Sequence, residues 1–257
     1  LTFTNKAASE MKNRIREIEG EPSAKSVTMG TFHSVFYKIL RVDAEKLGFG
    51  NNLVIYDTDD AKNVLKTIIK ELNLDPKVYT ANHVLNRISS AKSALISAVE
   101  YENNPETQSV DSQSGKPYIA EIFKRYNARL RNANAMDFDD LLYYMNVLLR
   151  DFPEMLNKYQ NRYQYILVDE YQDTNFAQYL IVKKLSSAHQ NICIVGDDAQ
   201  SIYSFRGANI QNILNFKRDY PSVKLVKLEQ NYRSTQNIVN AANAVIKNNK
   251  DQIPKEV

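Results

Sequence analysis

Tyr165-Ile166-Leu167-Val168-Asp169-Glu170-Tyr171-Gln172-Asp173 is the stretch that decides the fold. A short apolar run closes on two adjacent carboxylates, the pattern of a buried strand that ends in a polar turn. Ile192-Cys193-Ile194-Val195 repeats it and ends at Gly196-Asp197. Leu225-Val226-Lys227-Leu228 repeats it again and ends at Glu229-Gln230-Asn231. Helical patterns separate these runs, so the spacing predicts a parallel sheet with crossover helices, an α/β fold. In open sheets of that kind ligands gather at the carboxyl ends of the strands. Those ends are where Asp169, Glu170, Asp197 and Asn231 fall.

Upstream of the first run, residues 137–163 read as helical. Residues 44–134 read as an all-helical block. Asp57-Thr58-Asp59-Asp60 opens one helix with Val64, Leu65, Ile68, Ile69 and Leu72 on its inner side, and Thr80 opens the next. Residues 101–117 are polar and hold Pro105, Gly115 and Pro117, so they read as an exposed loop. Tyr118 to Leu130 is helical again. Residues 1–43 hold short pieces that each lead into a helix. Thr4 or Asn5 caps the first, with Ala7, Ala8, Met11, Ile15 and Ile18 close to one face; Thr31 caps the second. The α/β part thus comprises residues 1–43 and 135–257, interrupted by a helical insertion at 44–134.

Composition bounds the rest. The 257 residues are 43% hydrophobic and 25% charged, the balance of a folded protein with a sizeable core. The lone Cys193 excludes an internal disulfide framework and a cysteine-rich zinc site and points to a reducing, cytoplasmic setting. No apolar stretch is long enough to cross a membrane. The net charge of only +3 gives no bulk electrostatic pointer to nucleic acid, so any such reading must come from local constellations. The chain opens Leu1-Thr2-Phe3-Thr4 without Met and reads as a cut end.

The strand ends carry chemistry. An Asp at position 169 can hold Mg²⁺ beside nucleotide phosphates, and Glu170 can orient or deprotonate an attacking water. By itself such a pair is as well explained by an ordinary strand end. Gln200, with both a donor and an acceptor, can sense a phosphate or a water without adding charge. Tyr203, Phe205 and Arg206 alternate stacking surface with a cation, a composition that suits single-stranded nucleic acid, although both aromatics also suit a core. Arg233 can complete a phosphate site, and Tyr232 can stack on a base. The helix starts at Phe3-Thr4-Asn5-Lys6 and Thr31-Phe32-His33-Ser34 are ready phosphate sites.

Taken in order, TFTNKAASEM (2–11), TFHSVFYKILR (31–41), YILVDEYQDTN (165–175), IVGDDAQSIYSFRGA (194–208) and LEQNYRST (228–235) resemble motifs Ia, Ib, II, III and IV of the superfamily 1 UvrD/Rep-type DNA helicases. The resemblance implies a RecA-like parallel sheet with helices on both faces, a truncated P-loop NTPase fold (domain 1A), with residues 44–134 as its helical domain 1B. It implies a parent enzyme that uses ATP and Mg²⁺ to move 3′ to 5′ on single-stranded DNA and to open duplex at single-strand/double-strand junctions. Asp169 would then hold Mg²⁺ and Glu170 would activate water. Gln200 would couple the γ-phosphate to the DNA site, Arg233 would contact the γ-phosphate, and Tyr232 would pack on the adenine. Phe3, Thr4, Asn5, Thr31, His33, Tyr203, Phe205 and Arg206 would line the DNA track. Phe205 stands where relatives commonly have Trp, which implies a weaker contact.

The sequence departs from the family in lacking a G-x-x-x-x-G-K-[ST] loop and any motif after the fourth. The 257 residues alone are therefore expected to be inactive and to bind nucleotide weakly or not at all. Their sheet is expected to rearrange, to exchange between copies or aggregate, or to be marginally stable. A non-catalytic single-stranded DNA-binding module and a subunit of a helicase–nuclease complex remain alternatives.

Overall fold

The computed structural model describes residues 1–200 and 209–248. Helix α1 (Asn5–Ser26) starts where the Thr4 hydroxyl accepts the Ala7 N–H, and it kinks at Gly20, whose φ of 84° is left-handed. The apolar face expected on α1 forms but is not a core face: Ala8, Met11 and Ile15 are half-buried, Ile18 is exposed, and only Ala24 is buried. Helix α2 (Phe32–Asp43) is capped by Thr31 and buries Phe32, Val35, Phe36, Ile39 and Leu40.

The short strand β1 (Val54–Ile55) leads into α3 (Thr58–Glu71), which opens with a reciprocal cap between Asp57 and Asp60. Thr80 caps α4 (Ala81–Ser93). The expected loop at 101–117 is mostly helical instead. Helix α5 (Ala98–Asn103) carries a Ser97/Glu100 capping box, and α6 (Pro105–Gln113) starts from Asn104 with Pro105 in its first turn. The polar composition reflects capping side chains and a solvated face: Pro fits the first turn of a helix, where its missing N–H costs nothing. The buried Asp111 of α6 accepts from Arg87 at 2.7 Å and Tyr101 at 2.6 Å, which fixes α6 to the bundle. Helix α7 (Ile119–Asn132) follows, then β2 (Ala135–Met136), which pairs in parallel with β1.

Helices α8 (Phe138–Asp151) and α9 (Pro153–Arg162) lead into β3 (Ile166–Val168). Helix α10 (Phe176–Ser186) crosses over to β4 (Ile192–Ile194), which lies parallel to β3 with Ile166, Leu167 and Val168 opposite Ile192, Cys193 and Ile194. On the far side of β3, the Leu1 amino group donates to the Leu167 carbonyl at 2.7 Å, and the Asp169 N–H donates to the Leu1 carbonyl at 3.0 Å. Thr2 in turn bridges Thr31 in parallel. The segments therefore run Thr31, Leu1–Thr2, β3, β4 across one narrow parallel sheet. Its inner residues Ile166 and Val168 are buried, while Tyr165, Leu167 and Val195 are exposed.

Helices α11 (Gln211–Leu214), α12 (Phe216–Asp219) and α13 (Gln236–Ile246) complete the described chain. The strand expected at 225–228 does not form: Leu225, Val226 and Leu228 are 62%, 65% and 82% exposed, without regular structure. A strand exists only with a partner, and among the described residues no backbone ladder reaches this run.

Two clusters of buried side chains divide the molecule. One joins α2, α8, α10, β3 and β4; the other joins α3, α4, α5 and α7. Ala44, Leu47, Phe49 and Leu53 belong to the first and Ala61 to the second. No helix among the described residues is long and apolar enough to cross a membrane.

A buried charge cluster sits where the two cores meet. Lys92 of α4, only 2% exposed, reaches Asp137 at 2.8 Å and Asp140 at 2.7 Å, at the start of α8. The Tyr126 hydroxyl of α7 donates to Asp137 at 2.8 Å. Asp137 and Asp140 also cap α8 reciprocally. Burial opposes the Asp137 charge, but the Lys92 ammonium outweighs it and holds this carboxyl below its ordinary value. Burial and the Asp137 charge push Asp140 up to about 7.

Replacing Lys92 with Met strands two buried carboxylates, and the expected loss of stability is ~3–5 kcal/mol, read from urea denaturation midpoints. The sign of the pH effect follows from the raised Asp140. Between its unfolded value and about 7 the native state keeps a proton that the unfolded chain has released. This contribution is therefore full at acid pH and gone above neutrality. The midpoint falls as pH rises from 5 to 7, and Asp140→Asn flattens that slope.

Candidate functional site

The parallel pairing of β3 and β4 continues past both strands. The Val195 N–H donates to the Val168 carbonyl at 2.8 Å, and the Tyr171 N–H donates to the Val195 carbonyl at 3.0 Å. Between them the chain turns at Glu170, whose φ of 51° and ψ of 43° are left-handed. That conformation costs a non-glycine residue ~1–2 kcal/mol. The turn leaves Asp169 half-buried and Glu170 exposed, then tucks Tyr171 and Gln172 into the interior.

Gln172 is 1% exposed, and its amide is bonded at both ends. Nε2 donates to Glu170 Oε2 at 2.8 Å, and Oε1 accepts the Asp197 N–H at 3.0 Å. A backbone N–H can only donate, so the amide orientation is fixed. The Asp197 carboxylate accepts in turn from the Ala199 N–H at 3.1 Å and from Gln200 Nε2 at 2.9 Å. One hydrogen-bonded path thus runs Glu170–Gln172–Asp197–Gln200 across the carboxyl ends of both strands. Gly196 makes the path possible: a Cβ there would lie 2.6 Å from Gln172 Oε1 and 3.0 Å from Ile213 Cδ1.

The turn after Glu170 is clamped from below. Asn212 Nδ2, on α11, donates to the Thr174 carbonyl at 2.9 Å and to its hydroxyl at 3.1 Å. The Asp173 carboxyl is raised by burial and then by the Glu170 charge, so the edge is electronegative. The Leu1 ammonium acts on Asp169 from the neighbouring segment, and among the described residues no group of three or more potential metal ligands gathers, so the edge offers a hard divalent ion one or two carboxylates.

The sheet order also brings the chain's first two long helices to this edge. Thr2 pairs with Thr31 while Leu1 pairs beside β3, so the N-termini of α1 and α2 start next to the strand ends. Thr4 and Thr31 spend their hydroxyls as caps, and Asn5 is exposed. Phe3 is half-buried, its ring 5.4 Å from Phe32. The His33 ring meets Phe138 edge-on at 6.0 Å. The remaining sequence-predicted residues divide. Gln200 joins the path described above. Arg233 and Tyr232 do not meet the acidic pair: the Arg233 N–H donates to Asn231 Oδ1 at 2.9 Å, and Tyr232 is 93% exposed. Among the described residues no ion pair links Arg233 to Asp169 or Glu170. Tyr203, Phe205 and Arg206 lie outside the described residues.

Gln172 and Gly196 are the residues that sequence reasoning missed, and Asp197, read there only as a strand-end residue, joins them through the path. Gln172 reads locally as one more polar turn residue, because its partner across the edge, the Asp197 N–H, lies 25 residues away.

The model of the UvrD/REP helicase N-terminal domain matches residues 1–221. The ATP-dependent DNA helicase PcrA of Bacillus subtilis is 46% identical over 257 residues, which is 100% of this chain and 34% of that protein. The proteins of the same name from Staphylococcus epidermidis and Leuconostoc citreum are 47% and 43% identical, covering 99% and 100% of this chain and 34% of each relative. The chain thus spans about a third of the length of the curated relatives it matches.

Proposed function

The chain belongs to the UvrD/REP helicase family, and on that premise we propose that it is the Mg²⁺-ATP-hydrolysing edge of a 3′-to-5′ DNA helicase. The reading divides it into an incomplete motor domain 1A (1–43 and 135–257) and an inserted helical domain 1B (44–134). Its substrates are ATP and single-stranded DNA, with single-strand/double-strand junctions as the place of unwinding, in the cytoplasm. The carrying observation is the path from Glu170 through Gln172 and Asp197 to Gln200 at the ends of two parallel strands.

Water oxygen bonds to the γ-phosphorus as the bond from that phosphorus to ADP breaks. ADP leaves with the electron pair, and the water proton passes to the Glu170 carboxylate. The donor set suits Mg²⁺, which takes one or two carboxylates and fills its remaining positions with water and phosphate oxygens. Asp169, half-buried at the strand end, would hold it. Held there, the ion would supply neutralisation of charge on the phosphate oxygens. Gln200 links the γ-phosphate to the DNA track. Arg233 and Tyr232 reach the nucleotide only if their exposed segment docks toward the strand ends. Phe3, Thr4, Asn5, Thr31, His33, Tyr203, Phe205 and Arg206 line the track, where helix N-termini hold phosphates without reading sequence.

As an isolated polypeptide the chain contains no G-x-x-x-x-G-K-[ST] loop. We therefore read it as inactive alone and open to self-association through the exposed Tyr165, Leu167 and Val195.

In the full-length parent, Glu170→Gln is expected to lower kcat for ATP hydrolysis by ~10²- to 10⁴-fold with nucleotide binding retained, measured by phosphate release and by a fluorescent ATP analogue. Turnover at the wild-type rate would contradict the assignment. The chain itself is expected to bind a labelled single-stranded oligonucleotide with an affinity that falls as salt rises. In fluorescence anisotropy, joint replacement of Phe3, Phe205 and Arg206 by Ala should abolish that binding, and unchanged binding would remove the track assignment.

A further inference from the structure

The acidic pair and the turn after β4 touch through one buried amide, and that amide has no slack. Gln172 has its Oε1 committed to the Asp197 N–H and its Nε2 to Glu170 Oε2. It is 1% exposed, so water cannot replace either partner. Gly196 closes the space above Oε1, where even a methyl group would collide. Glu170, by contrast, is exposed and sits at the end of a left-handed turn. An exposed carboxylate is otherwise free to change rotamer, and a base for water needs one fixed direction.

We propose that Gln172 is a positioning residue. It aims the Glu170 carboxylate and carries any displacement of the Gly196–Gln200 turn to it. Gln200 is bonded to Asp197 by both its backbone and its side chain. A ligand that moves Gln200 therefore moves Asp197, and Gln172 passes that movement to Glu170. This inference rests on the reading of Glu170 as the base, and the two fail in different ways.

The experiment measures ATP hydrolysis by the full-length parent, with and without single-stranded oligonucleotide, as a function of pH. Gln172→Ala is expected to lower the DNA-stimulated kcat by ~10- to 100-fold, with KM for ATP within about twofold, and to shrink the ratio of stimulated to basal rate. Gln172→Glu keeps the side-chain shape but sets a second carboxylate beside the first. It is expected to move the acid limb of the pH–rate profile up by about one unit. This second variant decides the matter if Gln172→Ala fails to fold. A normal stimulation ratio for Gln172→Ala, or an unmoved acid limb for Gln172→Glu, overturns the positioning role while leaving Glu170 as the base. Full turnover by Glu170→Gln overturns both.

Discussion

A ladder of three parallel residue pairs, Ile166–Val168 against Ile192–Ile194, is the constraint on which the rest depends. Because the strands run in the same direction, residues 169 and 195 emerge at the same edge. The ladder's last bonds, Val195 to Val168 and Tyr171 to Val195, carry the register into the turns beyond. An antiparallel pairing would send the two polar turns to opposite ends of the sheet. The same direction holds for Leu1–Thr2 and Thr31, which explains why two helix N-termini open beside the acidic pair.

The edge is built from local strain and buried polarity together. Glu170 adopts a left-handed turn that a side chain resists, and the cost is tolerated because Gln172 and Asn212 hold the chain on either side of Tyr171–Thr174. Strained positions of this kind concentrate at functional sites, since the surrounding structure must over-determine them to persist. The helical unit is fastened by a different device. Lys92, Tyr126, Asp137 and Asp140 place one cation among two carboxylates inside the protein, across the boundary between the two cores. Such a cluster adds less to stability than its distances suggest, because desolvation offsets attraction. Its geometry is nevertheless specific, and it sets α4 and α7 against the start of α8 in one arrangement.

Much of this is legible in the amino-acid sequence, and the reasons divide cleanly. Thr4, Thr31, Asp57 and Thr80 announce helix starts because capping is local: the side chain reaches its own backbone within a few residues. The runs at 166–168 and 192–194 become strands because each has the other. The run at 225–228, apolar except for Lys227, has no ladder partner among the described residues and stays exposed. The face of α1 shows the same limit, since periodicity marks an apolar stripe but not what covers it. At 101–117 the error was chemical: Ser97, Glu100, Asn104 and Pro105 are helix-starting residues that resemble loop residues when counted by type. Gln172 and Lys92 were illegible for a further reason. Their partners lie 25 and 45 residues away, and no local rule reports so distant a contact.

The central claim is that the turns after β3 and β4 respond to nucleotide as one unit. Hydrogen–deuterium exchange on the full-length parent, with and without Mg²⁺ and a non-hydrolysable ATP analogue, tests it directly. The account predicts protection that rises together at residues 169–174 and 195–200, with the helical unit at 58–132 unchanged. Protection confined to one of the two turns, or absent from both, would contradict it.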